Sequence, residues 1–524
     1  MEQIEMKKHK VGVLAVAGTI YTFCCAGAYG IEDMMPYSGP GMAILVLCIL
    51  PFIWAYPHCF ACAELGSAIP EEGGIYKWVQ RAFGEFWGFM EGYWMIIVNY
   101  LFIPTLVLMG GDYMGTYFEW SWGGIMVYKV VIILVFAYIN WRGVRDVALV
   151  STAMSVAIFA AFMCIIVIGF SNWQFNPIDP FVPEGESVIM SASYAFAIGT
   201  WMYGGYSQMG NMAGELENPQ VIPKALMIAM PLILLTYIPT TLAGLASIGN
   251  WEEWGTDGIS WIQIAAQAGT AWALIFVFIG FLGLVSIFNS YLGASARTIF
   301  VMAEDNLAPK IFKRRSPKTD VPEIALLSIV LVSLALCDLE FSFIATLTVT
   351  VGFLASGALM LSAWQLRRTA PDMPRPFKTN MPDWMFGAMC WMVVVACVVF
   401  LYLNGTDYFF FGTLVAMAGP LVYWYTKRSY GGMDTEGGVK QLTRGDLKPF
   451  SVLYAIIAGL SVGAFFFYPL YDDPGYYEYR YGSEDFFYTL VNGIGIIAVV
   501  SAILAIVFYR LYKSAMPKES REEV

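Results

Sequence analysis

The sequence is poor in charged residues and in histidine. Only 13% of its 524 residues are Asp, Glu, Lys or Arg, and it has two histidines, His9 and His58. Soluble domains carry roughly 25% charged and 45–50% apolar residues, whereas 58% of this chain is apolar. A soluble globule of this composition would expose large apolar patches. The chain is therefore expected to be an integral membrane protein, and ample apolar surface to bury excludes a disordered one.

Basic charge and catalytic residue types are scarce as well. The net charge is −11, and nucleic acid requires a basic face, so no nucleic-acid partner is expected. Cys59 and Cys62 have redox or zinc spacing, but no second Cys/His pair accompanies them, which favours buried small side chains. No metal, no cofactor and no enzymatic activity are expected, because no Ser/His/Asp arrangement is present either.

Long apolar runs are abundant instead. A membrane-spanning helix needs about 20 mainly apolar residues. Fourteen segments qualify, and together they predict an all-α membrane protein with about 14 transmembrane helices. The segments are 11–35, 41–64, 86–110, 124–141, 147–170, 188–213, 223–248, 271–303, 322–338, 341–366, 385–404, 408–427, 450–470 and 485–511.

The basic residues predict the orientation of these spans. When the N-terminus is placed in the cytoplasm, every Lys and Arg except Lys129 and Arg480 falls in a cytoplasmic segment. A wrong span count would scramble this alternation. We therefore expect a plasma-membrane protein with both termini, 1–10 and 512–524, in the cytoplasm.

Glycine clusters interrupt two of the spans. Gly27 and Gly30 lie in the first span, and Gly199, Gly204 and Gly205 lie in the sixth. Transporters use such breaks to present free backbone groups to substrates, and the two positions fit a five-plus-five inverted repeat with a site between them. The alternative is that these glycines are packing notches, which are common in membrane helices.

Several motifs resemble the amino acid–polyamine–organocation (APC) superfamily of secondary transporters. They occupy residues 27–32, 38–40, 63–79, 212–219 and 289–310, in the order that the family has them. Within the superfamily, these motifs most resemble those of the polyamine/amino-acid permease branch. The resemblance implies a LeuT-like bundle with broken helices 1 and 6, and alternating access to a central site without ATP hydrolysis.

The same resemblance divides the chain. The ten-helix transport core would span 11–370, with helices 1–5 at about 11–170 and helices 6–10 at about 188–366. Helices 11–12 would follow at 385–427, and two additional C-terminal helices at 450–511. The lipid bilayer and a small-molecule substrate are the expected partners, and a homo-oligomer is compatible with the sequence.

The broken helices supply the candidate substrate site. Free N–H groups in the first broken helix are suited to bind a substrate carboxylate, and unwound carbonyls near Gly199, Thr200 and Gly204 are suited to bind an ammonium. A site with both kinds of group suits an α-amino acid, which carries both charges on one carbon. In relatives, the position of Trp201 holds an aromatic gate, although a plain packing role is the alternative. The predicted substrate-binding residues are Gly27, Ala28, Tyr29, Gly30, Ile31, Glu32, Asn99, Gly199, Thr200, Trp201, Gly204, Gly205 and Ser207.

The substrate class depends on where carboxylates lie. Amine-specific relatives often carry a carboxylate where this chain has Ser207, and the third span from Gly92 to Gly111 contains no acid, Asn99 being its most polar residue. Glu32 could pair with a cation, or it could lie in water at the outer mouth. These features favour neutral or zwitterionic substrates over polyamines, and a polyamine permease is the alternative.

The coupling ion stays open at this point. Ser286, Asn289 and Ser290 are candidate sodium ligands with carbonyls of the first helix, since sodium prefers oxygen ligands. They could equally form helix-to-helix hydrogen bonds. Proton coupling through Glu32 or Glu91, or exchange without a coupling ion, are the other possibilities. A channel and a transporter-like nutrient sensor are less favoured functions.

Overall fold

The architecture comes from a computed structural model that describes residues 12–25, 27–142, 147–206, 208, 218, 220–256, 258–433 and 442–515, without the side chains of 147–153. Sixteen main helices are labelled in chain order. They are α1 Val13–Cys24, α2 Pro40–Ala68, α3 Ile75–Phe83, α4 Glu85–Phe118, α5 Trp122–Arg142, α6 Val147–Ser171, α7 Val188–Met202, α8 Val221–Ser247, α9 Thr270–Glu304, α10 Glu323–Leu336, α11 Phe341–Thr369, α12 Asp383–Leu403, α13 Thr406–Tyr430, α14 Arg444–Tyr471, α15 Pro474–Tyr481 and α16 Asp485–Ser514.

The predicted all-α membrane fold is confirmed. In the described part of the chain, eleven helices are long and apolar enough to cross a membrane, and α1, α7 and α10 are shorter apolar helices. Each of the fourteen predicted segments therefore corresponds to a helix. The helices α3 and α15 are the additional, short ones, and neither is apolar enough to be a span.

The first and sixth spans are interrupted, as a five-plus-five arrangement requires. The helix α1 ends at Cys24, and helical structure resumes at Glu32. Between them Gly27 and Gly30 have φ values of +113° and +90°, which glycine adopts without the steric cost that other residues pay. The predicted interruption of the first span is thus observed between Cys24 and Glu32. The helix α7 ends at Met202, and most of 207–217 lies outside the described residues.

The central helix of the bundle is α4. It packs against α9 and α11, while α1 packs against α6 and α8. Of the long helices, α4 has the most buried apolar stretch and α5 the least buried one. Functional side chains on α4 therefore face protein, whereas α5 lies at the lipid-exposed periphery.

The two ends of the bundle differ in charge. One end carries Lys77, Arg367 and Lys427 in ion pairs, and we call it the basic face. The other end carries Glu340 and Asp472, and we call it the acidic face. The helices run between these two faces. The basic face therefore corresponds to the loops that are predicted to be cytoplasmic, and the acidic face to the loops that are predicted to lie outside.

The two C-terminal spans are tied to the rest of the bundle. The helices α14 and α16 pack along each other and against α13. At the basic face the Lys427 ammonium lies 2.9 Å from an Asp446 carboxylate oxygen on α14 and 3.1 Å from a Glu85 carboxylate oxygen on α4. All three side chains are largely buried, so this cluster joins the additional helices to the central one.

Candidate functional site

A cavity of about 120 Å³ lies beside the end of α7. Side chains from α2, α4, α7, α9 and α11 line it, and so does the segment that follows Met202. Five of the predicted substrate-binding residues line this cavity together: Asn99, Thr200, Trp201, Gly204 and Gly205. We call it the central cavity. The structure therefore brings these residues together, and their role in substrate binding stays a prediction.

A layer of aromatic rings separates the central cavity from a smaller one. Phe102, Trp201 and Tyr291 line both cavities. The Trp201 ring lies 5.3 Å from the Phe102 ring and 5.3 Å from the Phe341 ring, and the Phe102 and Tyr291 rings are 4.5 Å apart. We call these four residues the aromatic layer. The place of Trp201 in it suits the predicted gate, which stays a prediction.

The broken first helix lies apart from the central cavity. Tyr29 lines the smaller cavity, where its ring packs 5.1 Å from that of Phe162 and 5.5 Å from that of Tyr113. The other five predicted residues of this segment line neither of the two cavities. They are Gly27, Ala28, Gly30, Ile31 and Glu32.

The sequence predicts free N–H groups at Ala28, Tyr29, Gly30 and Ile31, and two of these four are already bonded within the protein. The Gly30 N–H donates to a Glu32 carboxylate oxygen at 2.9 Å and lies 3.2 Å from the Tyr113 hydroxyl oxygen. The Ile31 N–H donates to the Ala28 carbonyl at 3.3 Å. The expectation of free N–H groups is therefore wrong for Gly30 and Ile31, because the interrupted chain satisfies its own backbone donors.

Glu32 is completely buried, so its proposed location in water at the outer mouth is wrong. Besides the Gly30 N–H, its carboxylate accepts a hydrogen bond of 2.7 Å from the Tyr113 hydroxyl on α4. In a continuous helix a backbone carbonyl would accept the hydrogen bond of the Gly30 N–H, and at the interruption the Glu32 carboxylate accepts it instead. This role accounts for a carboxylate buried within the bundle. Both of its partners are protein groups.

The carbonyl ends of both interrupted helices meet at one side chain. The Tyr237 hydroxyl on α8 lies 3.0 Å from the Cys24 carbonyl oxygen and 3.1 Å from the Met202 carbonyl oxygen. Sequence reasoning missed Tyr237, since a tyrosine within an apolar run carries no local signal of this role. It fixes the two interruptions relative to each other.

The predicted unwinding near Gly199 and Thr200 is wrong, because α7 continues through Met202. The Gly199 carbonyl accepts a hydrogen bond of 3.0 Å from the Tyr203 N–H, and the Thr200 hydroxyl donates to the Phe196 carbonyl at 2.7 Å. A side chain at Gly199 would collide with Leu50 on α2. Gly199 is therefore a packing notch, whereas Gly205, with φ of +93°, belongs to the irregular segment.

Asn99 has a partner that sequence reasoning did not name. Its amide oxygen accepts a hydrogen bond of 3.1 Å from the Gln208 side chain, and its amide nitrogen is buried without a partner. This bond links α4 to the segment after α7. Ser207, the neighbouring candidate, lies outside the described residues.

The three candidate sodium ligands line neither of the two cavities. The Asn289 amide oxygen accepts a hydrogen bond of 2.7 Å from the Asn140 side chain on α5. Ser286 and Ser290 are buried on α9. For Asn289 the helix-to-helix hydrogen bond is thus the observed arrangement.

The cavity contains an acid that the sequence predicted only as a candidate for proton coupling. The helix α4 begins at Glu85, and its Glu91 lines the central cavity, fully buried, with neither carboxylate oxygen hydrogen-bonded. The predicted third span, 86–110, includes Glu91, whereas the stretch from Gly92 to Gly111 does not. The expectation that the third span offers the substrate site no acid is therefore wrong.

An all-α bundle with two interrupted helices beside a cavity between its helices is the architecture of a membrane permease. The chain belongs to the amino acid permease family, whose model matches residues 12–423. This match accounts for the motifs at 27–32 and 63–79 and confirms the resemblance drawn from them.

The individual relatives described next are 26–30% identical to this chain over the regions that match. A probable polyamine transporter of Arabidopsis thaliana is 30% identical over 59% of this chain and 62% of its own length. A second polyamine transporter of that plant is 26% identical over 70% of this chain and 75% of its own length. The serine/threonine exchanger of Bacillus subtilis is 29% identical over 44% of this chain and 53% of its own length. The chain thus spans less than two thirds of the first of these relatives.

Proposed function

We propose that the protein is a secondary active transporter, a symporter or exchanger, that moves amino acids or closely related amines by alternating access. The observation that carries the proposal is the central cavity, which lies at the end of an interrupted helix and is closed on one side by the aromatic layer. Relatives that are named as amino acid and polyamine transporters support it.

Alternating access requires a barrier that forms on one side of the substrate and a second state in which it opens. The aromatic layer is such a barrier, since its rings come from α4, α7, α9 and α11, and movement of any one of these helices separates them. Binding of substrate under Trp201 would shift the balance between the two states. We propose the plasma membrane as the location, with both termini in the cytoplasm.

Uptake by reconstituted proteoliposomes tests this function. The vesicles are offered a panel of radiolabelled amino acids and amines, under a sodium gradient, a proton gradient or an internal load of unlabelled substrate. A symporter requires one of the gradients, and an exchanger requires only the internal load. Absence of saturable uptake for every compound would contradict the proposal.

A polyamine permease or antiporter is the second candidate, and Glu91 in the central cavity favours it. Neutral substrates were favoured because the sequence placed no carboxylate in the site. Glu91 is a buried carboxylate that lines the cavity, so this reason no longer holds. Competition decides between the two candidates: spermidine and putrescine that displace every amino acid would establish the polyamine function, and amino acids that displace both would exclude it.

Trp201→Ala is expected to lose most of its transport while the protein still inserts and folds. The substitution removes two ring contacts of the aromatic layer, each worth about 0.5–1.5 kcal/mol, so initial uptake should fall by about 5-fold to 150-fold. Trp384→Ala is the matched control, because the Trp384 side chain is 75% exposed at the start of α12. Size-exclusion profiles check folding, and wild-type uptake by Trp201→Ala would remove Trp201 from the gate.

A further inference from the structure

The central cavity has a polar end that the broken helices do not explain. Glu91 lines it from α4, and His58 lines it from α2. Glu91 precedes Asn99 by eight residues on one helix, which corresponds to about 12 Å along the axis. Polar groups therefore line the cavity at two levels, rather than only beside Trp201.

Glu91 and His58 both present unpaired hydrogen-bond acceptors among the residues that line the cavity. Both Glu91 carboxylate oxygens lack a partner, and the Glu91 side chain is completely buried. His58 Nδ1 lies 2.7 Å from the Trp54 carbonyl oxygen, which requires a proton on Nδ1. In the neutral ring Nε2 is then an acceptor, and it is also buried without a partner.

The opposite level offers donors. The Asn99 amide nitrogen and the Trp201 indole nitrogen are both buried without partners, and both residues line the same cavity. No lysine or arginine is among the described residues that line it. The described lining therefore carries unpaired acceptors on Glu91 and His58 and unpaired donors on Asn99 and Trp201.

A buried ionised carboxylate without a partner costs several kcal/mol, so such a group requires a cation when charged. We propose that Glu91, together with His58, is the subsite for a substrate ammonium group. The cavity would then select extended molecules that carry a cationic group at one end. This inference rests on the proposed transport function and specifies the chemistry that its site accepts.

Matched pairs of compounds test the subsite on the wild-type protein. Ornithine and norvaline share the same carbon skeleton and differ in the terminal ammonium, and lysine and norleucine form a second such pair. Competition against a transported tracer should show that the cationic member of each pair inhibits at a concentration at least about 10-fold lower. Equal inhibition by both members would overturn the proposal.

Glu91→Gln tests the residue itself. The apparent affinity for ornithine and lysine should fall by about 10-fold to 100-fold, while that for norvaline and norleucine changes by less than about 3-fold. Glu91→Asp keeps the charge and should keep the cationic preference. The control is Glu252→Gln, because Glu252 is an exposed acid in a loop beyond the central cavity. A glutamate that only fills space would alter total uptake and leave the selectivity ratio unchanged.

The outcomes separate this inference from the proposed function. Failure of the wild-type protein to transport any compound would contradict the proposed transport function. Transport with an unchanged cationic preference in Glu91→Gln would overturn the ammonium subsite alone. If Glu91→Gln aggregates on size exclusion, the wild-type competition and Glu91→Asp decide the question.

Discussion

At the scale of single residues, a side chain replaces the hydrogen bonds that an interrupted helix loses. Glu32 accepts from the Gly30 N–H and from the Tyr113 hydroxyl, and all of these groups are buried. In lipid, water cannot substitute for such partners. Glu32 therefore holds the interruption in one conformation.

Glu32→Gln is expected to lower thermal stability. The glutamine keeps one acceptor oxygen but directs an NH₂ group at a donor, so about 1–3 kcal/mol of stability should be lost. The measurement is the unfolding temperature in detergent, followed by size exclusion. Tyr113→Phe removes the hydrogen bond to Glu32 and the contact with the Gly30 N–H, leaves a buried carboxylate oxygen without its partner, and should also cost about 1–3 kcal/mol. A Glu32→Gln variant as stable as the wild type would contradict this role.

Some residues of the site could be predicted from local signals and others could not. Gly27, Gly30 and Gly205 have the positive φ values that glycine clusters indicate. The partner of Glu32 lies 81 residues away and the Tyr237 partner Cys24 lies 213 residues away. Such pairs depend on how helices pack, which apolar periodicity in a single sequence does not determine.

At the scale of elements, the helix α15 holds the start of α11. The Arg480 guanidinium lies 3.4 Å from a Glu340 carboxylate oxygen and 5.0 Å from the centre of the Phe343 ring. Glu340 directly precedes Phe341, the residue of α11 whose ring packs on Trp201. The loop between the two additional spans is thus linked to the aromatic layer.

Glu340→Gln and Arg480→Gln are expected to change transport kinetics in the same direction, and Arg480→Gln by the larger factor because it also removes the contact with the Phe343 ring. A partly exposed ion pair contributes about 0.2–1 kcal/mol, which corresponds to a change of about 1.5-fold to 5-fold in the rate of opening. The double variant should show no change beyond that of Arg480→Gln, because both substitutions remove the same ion pair. Initial rates of uptake and of exchange measure it, and effects that multiply in the double variant would contradict the link.

The packing of elements explains why the sequence did not place Glu91 in the substrate site. Apolar runs locate spans well, because burial in lipid is a local requirement, and each predicted segment has its helix. The start of α4 is set instead by Gly84, whose φ of +91° separates it from α3. A hydropathy window therefore places the span but does not show that Glu91 faces the cavity from within it.

At the scale of the whole molecule, the basic residues have two roles. They predict orientation, and at the basic face they join helices that are distant in sequence. The Arg367 guanidinium on α11 lies 2.6 Å from a Glu64 carboxylate oxygen on α2, and the Lys77 ammonium on α3 lies 2.6 Å from an Asp305 oxygen that follows α9. The Glu64 pair is buried and the Lys77 pair is largely so, hence this face is held by ion pairs.

Labelling of single cysteines in intact cells tests the orientation of the whole bundle. Tyr479 is 92% exposed on α15 at the acidic face, and Lys318 is exposed in the basic loop between α9 and α10. A membrane-impermeant maleimide should label Tyr479→Cys in intact cells and Lys318→Cys only after permeabilisation. The nine native cysteines are buried or partly buried, so the unsubstituted protein gives the background. The reverse pattern would invert the predicted orientation, and equal labelling of both positions in intact cells would show that the span count between them is wrong.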